Sequence, residues 1–338
     1  MNKTVSVIIP CLNEVNHIEK CIKSLTSNLY PKELVSIYVC DGMSNDGTRE
    51  LVKKHVVDNS NLYLLDNHKK TTPFALNLGL KTSTAEVKII LGAHSEVDKN
   101  FLSENVNALE KDLKIGCVGG ILENVYENHI SRIIGLAMSS KFGVGNAHFR
   151  TGEKKGFVDT VAFGGYRREV FDKVGYFDET LERNQDDEFN FRVIKSGYKI
   201  YLSEKIKCNY YVRASYSKLY RQYYQYGYWK VFVNKKHKTI TSFRQLVPLF
   251  FVLFLITALI FGLIFPHSIF LSLSILFIYF VLSLLASYSL SKKISIILKI
   301  SFVFLLLHIG YGLGYFIGLI DFLLLNKKPN DRATSLTR

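Results

Sequence analysis

Four short polar clusters in this chain hold residue types that could do chemistry. Asn13-Glu14 and Asp41-Gly-Met-Ser44-Asn-Asp46-Gly47-Thr48 each follow an apolar run. Gly92-Ala93-His94 follows a third run, and Asn184-Gln185-Asp186-Asp187-Glu188 opens a segment with helical spacing. A carboxylate at a strand end can accept a hydrogen bond from a base N–H or a ribose hydroxyl. The Asp41–Thr48 cluster also reads as a turn whose Asp46 or Thr48 caps the next helix. The acids at 186–188 also read as a solvated helix start. His94 also reads as a polar strand-end residue that binds nothing.

Placing these clusters needs a scaffold, and the pattern supplies one. Residues 4–9, 34–40, 62–65 and 87–91 are short β-branched or apolar runs, predicted as strands. Between them, 16–25, 46–57 and 73–81 have helical spacing, the last with Pro73 near its first turn. Strand–helix alternation predicts an α/β domain with a mainly parallel sheet. In such sheets ligands lie beyond the carboxyl ends of the strands, where three of the four clusters fall. Residues 113–200 are less regular. Val161–Val170 reads as a strand entering a helix with Gly164-Gly165 between them. Residues 184–196 read as a helix with Phe189, Val193 and Ile194 inward.

The chain changes solvent near residue 245. Apolar runs at about 246–265, 268–290 and 300–325 each have about the 20 residues that cross a bilayer core. Gly310, Gly312, Gly314 and Gly318 weaken the third as one rigid rod and leave a re-entrant segment open. Residues 327–338 form a polar tail. The chain carries 43 Lys/Arg against 29 Asp/Glu. The excess concentrates at 195–244, with twelve basic residues and one acid, Glu204, among many aromatics. Such a stretch beside apolar spans suits a membrane surface and its lipids, so no nucleic-acid partner is needed. Lys292, Lys293 and Lys299 fall between the second and third spans, as a cytoplasmic loop requires if the soluble domain is cytoplasmic. Five cysteines without a C-x-x-C pair argue against a disulfide framework or zinc site. The N-terminal apolar run is too short for a signal peptide. A nucleotide-type site on a membrane-tethered domain suggests joining a water-soluble donor to a lipid-bound acceptor.

Val5-Ser-Val-Ile-Ile-Pro10-Cys-Leu-Asn13-Glu14 followed by Asp41-x-x-Ser-x-Asp-Gly-Thr resembles the family 2 inverting glycosyltransferases of the GT-A fold. Ala75-Leu-Asn77-Leu-Gly79, Phe163-Gly164-Gly165-Tyr-Arg167, Gln185-Asp186-Asp187 and Gln225-Tyr-Gly-Tyr-Trp229 resemble later family segments in the right order. The likeness covers about residues 4–235, a domain written as 1–235 with 198–245 as its basic, aromatic interfacial end. Helices over 246–326 follow. Within the family the chain looks closest to succinoglycan-type, membrane-anchored transferases of bacterial polysaccharide assembly.

The resemblance implies roles. Pro10, Asn13, Glu14, Asn77, Gly92 and His94 would line the donor site, with Asp41 holding the base of a nucleotide sugar, a UDP-sugar first. Asp186 would be the general base, its pKa raised by Asp187 and Glu188. Arg192 would pair with these acids or face a phosphate. Gly164, Gly165, Asp187, Gln225 and Trp229 would lie toward the acceptor, a polyprenyl-linked saccharide. Trp229 would also anchor at the bilayer interface. The implied product is a hexose on that lipid, one sugar per encounter.

Two departures bear on this. The family's metal-holding Asp-x-Asp is Gly92-Ala93-His94 here. That puts a divalent cation, Mn or Mg, in question and leaves His94 as its ligand, with Glu96 or a basic side chain as substitute. Imidazole suits manganese better than magnesium. Gln185 also stands where the family has Glu. Two other functions stay open: a polyprenyl-phosphate sugar synthase, and a non-catalytic membrane subunit with a degenerate donor site.

Overall fold

The valine and isoleucine runs near the start of the chain become parallel strands because they are apolar on both faces and are covered on both. The computed structural model describes residues 3–241, 243–265 and 267–329. Its contacts form two compact units. One holds the chain up to Val125 and His148–Tyr211; the other holds Tyr126–Ala147 and the chain from Val212 onward. This partition differs from a single boundary at 235.

The first unit begins β1 (Val5–Cys11), α1 (Ile18–Thr26), β2 (Val35–Asp41), α2 (Thr48–Asp58), β3 (Leu62–Asp66), α3 (Thr72–Thr82) and β4 (Val87–Ile90). These four strands lie parallel in the order β3-β2-β1-β4. Then come β5 (Ser95–Val97), α4 (Phe101–Glu110) and β6 (Ile115–Val125). Here the chain leaves for the second unit, forming α5 (His129–Met138) and α6 (Lys141–Val144). It returns as α7 (His148–Thr151), β7 (Gly156–Val158), β8 (Ala162–Arg167), α8 (Arg168–Val174), α9 (Gln185–Lys195) and β9 (Lys199–Tyr211). β8 joins β4 antiparallel, and the sheet continues β8-β6-β9-β5, with β7 on β9. The mixed sheet agrees with the GT-A expectation.

Its core joins Ile8 and Cys40 of the parallel strands to Leu76 and Leu80 of α3, Phe171 of α8 and Phe189 of α9. Phe189 stacks on Phe177 at 4.4 Å between ring centroids. All five cysteines are buried. Two expectations are corrected. Gly164-Gly165 lies within β8 rather than between strand and helix, because a side chain at Gly165 would meet Asn105 Oδ1 of α4 at 2.5 Å. Ile194 is 41% exposed, since α9 buries Phe189, Asn190 and Val193 on a face that turns past it.

In the second unit, α10 (Tyr216–His237), α11 (Val247–Ile264), α12 (Ser268–Leu290) and α13 (Ile294–Gly318) follow, with a π-helical turn at Leu319–Leu324. Among the described residues, three helical stretches are long and apolar enough to cross a membrane: Phe243–Ile264, Ile269–Leu290 and Ile294–Leu324. α13 is one continuous helix from Ile294, so its glycines do not break it. They instead form a packing stripe. A Cβ at Gly314 would strike the carbonyl of Tyr224 on α10, and those at Gly310 and Gly318 would crowd the carbonyls of Tyr220 and Tyr228. Small residues at every fourth position let two helix backbones touch. Residues 330–338 of the expected tail lie outside the described residues.

Candidate active site

The parallel register sets three polar clusters side by side, pairing Cys11 with Asp41 and Ile8 with Ile90. Beyond β1, Asn13 has a left-handed backbone (φ 54°), a conformation Asn tolerates better than most residues. Its N–H donates to Ser44 Oγ at 2.7 Å, and its Oδ1 accepts from the Asn45 N–H at 3.1 Å. The next N–H, of Glu14, donates to Thr48 Oγ1 at 2.9 Å. Asp46 closes the seam by accepting from the N–H groups of Val15 and Thr48 and from Thr48 Oγ1. Burial alone would raise its pKa; these hydrogen bonds outweigh that and hold the carboxyl below its ordinary value. Asp46 thus stitches the two loops, while Gly47 (φ 97°) occupies the N-cap of α2.

Asp41 is fully buried. Its oxygens accept from Ser44 Oγ (2.5 Å), the Ser44 N–H (3.0 Å) and Arg49 Nη1 (2.7 Å). Arg49 also donates from Nη2 to Asp66 Oδ1 at 2.7 Å, and Asp66 is Asp41's register partner on β3. One guanidinium therefore serves two neighbouring carboxylates, and its hydrogen bond holds the Asp66 pKa below the ordinary value. Asp41 thus sits beneath the loops and fixes their shape. Pro10 lies within β1, opposite Cys40.

Gly92–His94 forms the turn between β4 and β5. His94 Nδ1 lies 3.7 Å from Glu14 Oε1, with Glu14 5% exposed and the His94 side chain 19% exposed. The His94 ring meets Tyr210 of β9 edge-on at 5.4 Å. At Gly92 the missing side chain is replaced by a neighbour's ring. A Cβ there would stand 2.9 Å from Cε1 of Phe163. Phe163 holds a left-handed backbone (φ 51°), which costs a bulky residue on the order of 1 kcal/mol.

Asp186 is an exposed residue in the first turn of α9, and its Oδ1 accepts the Asp187 N–H at 2.9 Å. Glu188 does not join an acidic trio, which corrects its expected role toward Asp186. It turns inward, 1% exposed, and pairs with Arg192 at 2.8 and 2.9 Å. Arg192 also donates to the carbonyls of Val174 and Tyr176, so α9 is fastened to the loop before it. One turn past Asp186, Asn190 donates to Thr160 Oγ1 at 3.0 Å and accepts from the Tyr166 hydroxyl at 3.0 Å. Residues four apart share a helix face. The Asp186 face of α9 is thereby tied to the segment whose Phe163 covers Gly92. Burial holds the Tyr166 hydroxyl well above its ordinary pKa, and the nearby Asp186 charge adds to the shift.

Other expected site residues do different work. Asn77 is buried and pairs with both backbone polar groups of Phe177, at 2.9 and 3.0 Å, while also donating to Glu179 Oε1. It fastens the loop leading to α9. Gly164 and Gly165 are internal to the sheet. Asp187 is half-buried beside Asp186. Gln225 and Trp229 belong to the second unit, within α10, and are 0% and 1% exposed. Trp229 meets Phe232 and Tyr228 edge-on, so its ring packs against protein. Arg49 went unrecognised, and Phe163 was read only as part of its segment. An arginine directly after the acid-rich turn was a usable signal for the first; nothing in the sequence marks the backbone conformation of the second.

The donor set decides whether a divalent cation fits. Among the described residues no cluster of three or more His, Cys, Asp or Glu side chains is assembled. Glu96 Oε1 accepts the Tyr211 hydroxyl. Cys21 donates to the Gly92 carbonyl and stays a thiol, its pKa pushed far up by burial. Glu14 and His94 stand 3.7 Å apart, one carboxylate beside one imidazole. That pair fits a cation that also binds diphosphate oxygens, and fits manganese better than magnesium.

Residues 6–175 match the model described as glycosyl transferase family 2. The chain is 30% identical over 328 residues to the Methanococcus voltae dolichyl N-acetyl-alpha-D-glucosaminyl phosphate 3-beta-D-2,3-diacetamido-2,3-dideoxy-beta-D-glucuronosyltransferase, covering 94% of this chain and 97% of that protein. It is also 30% identical to the succinoglycan biosynthesis protein ExoA of Rhizobium meliloti, over 72% of this chain and 74% of that protein. Among solved structures, the mannosyltransferase PcManGT from Pyrobaculum calidifontis, in complex with GDP-Man and Mn2+, superposes with a TM-score of 0.52 at 19% identity. That match covers 66% of this chain and 62% of the solved one, under two thirds of its length, and supports the fold alone.

Proposed function

The chain belongs to glycosyl transferase family 2, and from that membership we propose that it moves a hexose, with inversion, from a nucleotide sugar to a lipid-linked saccharide during cell-surface polysaccharide assembly. The observation that carries this is the tie between Asp186 and the donor-side strand ends. Asp186 stands one turn from Asn190, Asn190 bonds Thr160, and Phe163 three residues on lies against the Gly92–His94 turn. An acceptor hydroxyl and a sugar diphosphate could then meet at one edge of the sheet.

In this mechanism Asp186 takes the proton of the acceptor hydroxyl as that oxygen forms a bond to the anomeric carbon. The bond from that carbon to the diphosphate oxygen breaks on the opposite face, and the nucleoside diphosphate leaves with the electron pair. One carboxylate suffices for a single displacement, whereas a double displacement needs a nucleophile as well. Arg192, Glu188 and Asn77 act earlier, by fixing α9 where Asp186 is useful. Glu14 and His94 are the residues that would hold a divalent cation, which offsets the charge of the leaving diphosphate when bound.

A uridine nucleotide is the donor we favour, on the family likeness of the Asn13–Glu14 and Asp41–Thr48 segments. The lipid-linked acceptor is supported by the Methanococcus relative, whose name specifies a dolichyl phosphate saccharide. Three bilayer-length helices make membrane residence consistent with such an acceptor. We place the catalytic unit on the cytoplasmic side, with Lys292 and Lys293 between α12 and α13 as the basic loop of that face. Membranes containing the protein, given a panel of radiolabelled nucleotide sugars, should yield label in the lipid extract with one donor. Label found only in free sugar or on bare polyprenyl phosphate would defeat the proposal.

A further inference from the structure

Within the second unit, α5 packs against α13, and their exposed sides meet at two basic groups. Lys299 Nζ of α13 stands 3.2 Å from His129 Nε2 of α5. An ammonium carries three N–H donors and no acceptor, so this contact uses one of them. Arg132 lies three residues past His129 and shares its helix face. All three residues are exposed. Leu298 and Phe302, beside Lys299 on α13, are exposed as well. Lys299 falls within the first two turns of the bilayer-length stretch Ile294–Leu324, a depth from which a lysine reaches the headgroup level by extending its side chain. The wider field is one-sided. Residues 126–147 and 212–329 carry fifteen Lys/Arg against two acids, Glu127 and Asp321, and Asp321 is buried beside the Tyr228 hydroxyl.

We propose that His129, Arg132 and Lys299 seat the phosphate of an anionic phospholipid, whose acyl chains run along the exposed apolar side of α13 at Leu298 and Phe302. The pairing of the two surfaces selects this occupant. A nucleic acid or an acidic peptide would answer the cations and leave Leu298 and Phe302 in water, whereas a phospholipid answers both. A phosphate held by α5 and α13 together fixes the excursion whose ends continue into β6 and α7 of the first unit. The seat lies outside the donor chemistry proposed above and stands or falls apart from it.

The test is lipid binding. Full-length protein in mild detergent is titrated with phosphatidylglycerol or phosphatidylcholine of matched chains, and bound lipid is counted by native mass spectrometry. Phosphatidylglycerol should bind at least about fivefold tighter, the weight of one basic group near an anionic membrane surface. Arg132→Gln and Lys299→Gln should each weaken it by about fivefold and leave phosphatidylcholine unchanged. Both side chains are exposed, so neither change touches the core. Lys328→Gln removes the same charge beyond the opposite end of α13 and should change the affinity by less than about twofold, because screening confines such charges to their neighbourhood. Equal affinity for the two lipids, or a loss in Lys328→Gln as large as in Lys299→Gln, would overturn the seat. Inorganic phosphate competing as well as the lipid would overturn the role of the apolar side. Polyprenyl phosphate displacing phosphatidylglycerol at equal concentration would overturn the assignment by giving the seat to the acceptor.

Discussion

Arg192 clasps Glu188 through two parallel N–H···O bonds of 2.8 and 2.9 Å within α9. The pair lies on the inner side of the helix whose first turn carries exposed Asp186, so a buried charge pair orients an accessible one. Removing one partner should be costly, because the other charge would remain buried without compensation. Arg192→Met should lower stability by roughly 3 kcal/mol, the low end for such pairs since the arginine keeps some solvent contact. Glu188→Leu with Arg192→Met should recover much of that loss. Denaturant midpoints of the three proteins test this; a double variant no more stable than Arg192→Met would show that the stranded glutamate costs nothing.

Asp186→Asn should reduce sugar transfer by about 10²- to 10⁴-fold, the usual contribution of a positioned base. Nucleotide affinity should change little, because the donor-side contacts of Asn13, Ser44 and Thr48 remain. Transfer to lipid and UDP titration should be measured on the same preparation. Wild-type turnover in the variant would remove Asp186 from the reaction.

The stripe on α13 predicts a sharp contrast between glycines. Gly314→Ala should disrupt the folded protein, since its new methyl would collide with the Tyr224 carbonyl. Gly262→Ala on α11 should be neutral or slightly stabilising, because its nearest neighbour is Ile269 at 4.0 Å. Thermal melting in detergent compares them directly; similar midpoints would contradict the close contact.

Thiol chemistry gives a pH-dependent check. Burial pushes the Cys40 and Cys208 thiols up to about 12. Both groups then stay neutral at pH 8 and 9, where an exposed cysteine is already partly thiolate. Native protein should resist maleimide across that range, and denaturant should expose the cysteines to labelling. Mass spectrometry counts the adducts; rapid native labelling at pH 8 would mean the strand core opens.

Much of the first unit was legible in the sequence because local pattern and tertiary role coincide there. The β-branched runs at 5–11 and 35–41 are strands because they are covered on both faces, and the polar residues just beyond them sit at sheet ends. Legibility failed where a residue's partner is far along the chain. Asn77 reads as a pocket residue until its bonds to Phe177, a hundred positions away, are seen. Gly164-Gly165 imitates a turn because glycine usually marks one, whereas here it admits Asn105 against the sheet. The α13 glycines look like weak points in isolation and become contact points only beside α10. Glu188 resembles its acidic neighbours, yet the helical turn sends it toward Arg192.

The excursion between β6 and α7 has a practical outcome for anyone trimming this protein. The chain crosses between its units at Val125/Tyr126, Ala147/His148 and Tyr211/Val212, so no single cut separates them. A fragment ending after α10 would retain α5 and α6 but lack α13, against which α5 and α6 pack. The face of α5 and α6 that packs on α13 would be uncovered, making the shortened polypeptide prone to precipitate even with every bilayer-length segment deleted.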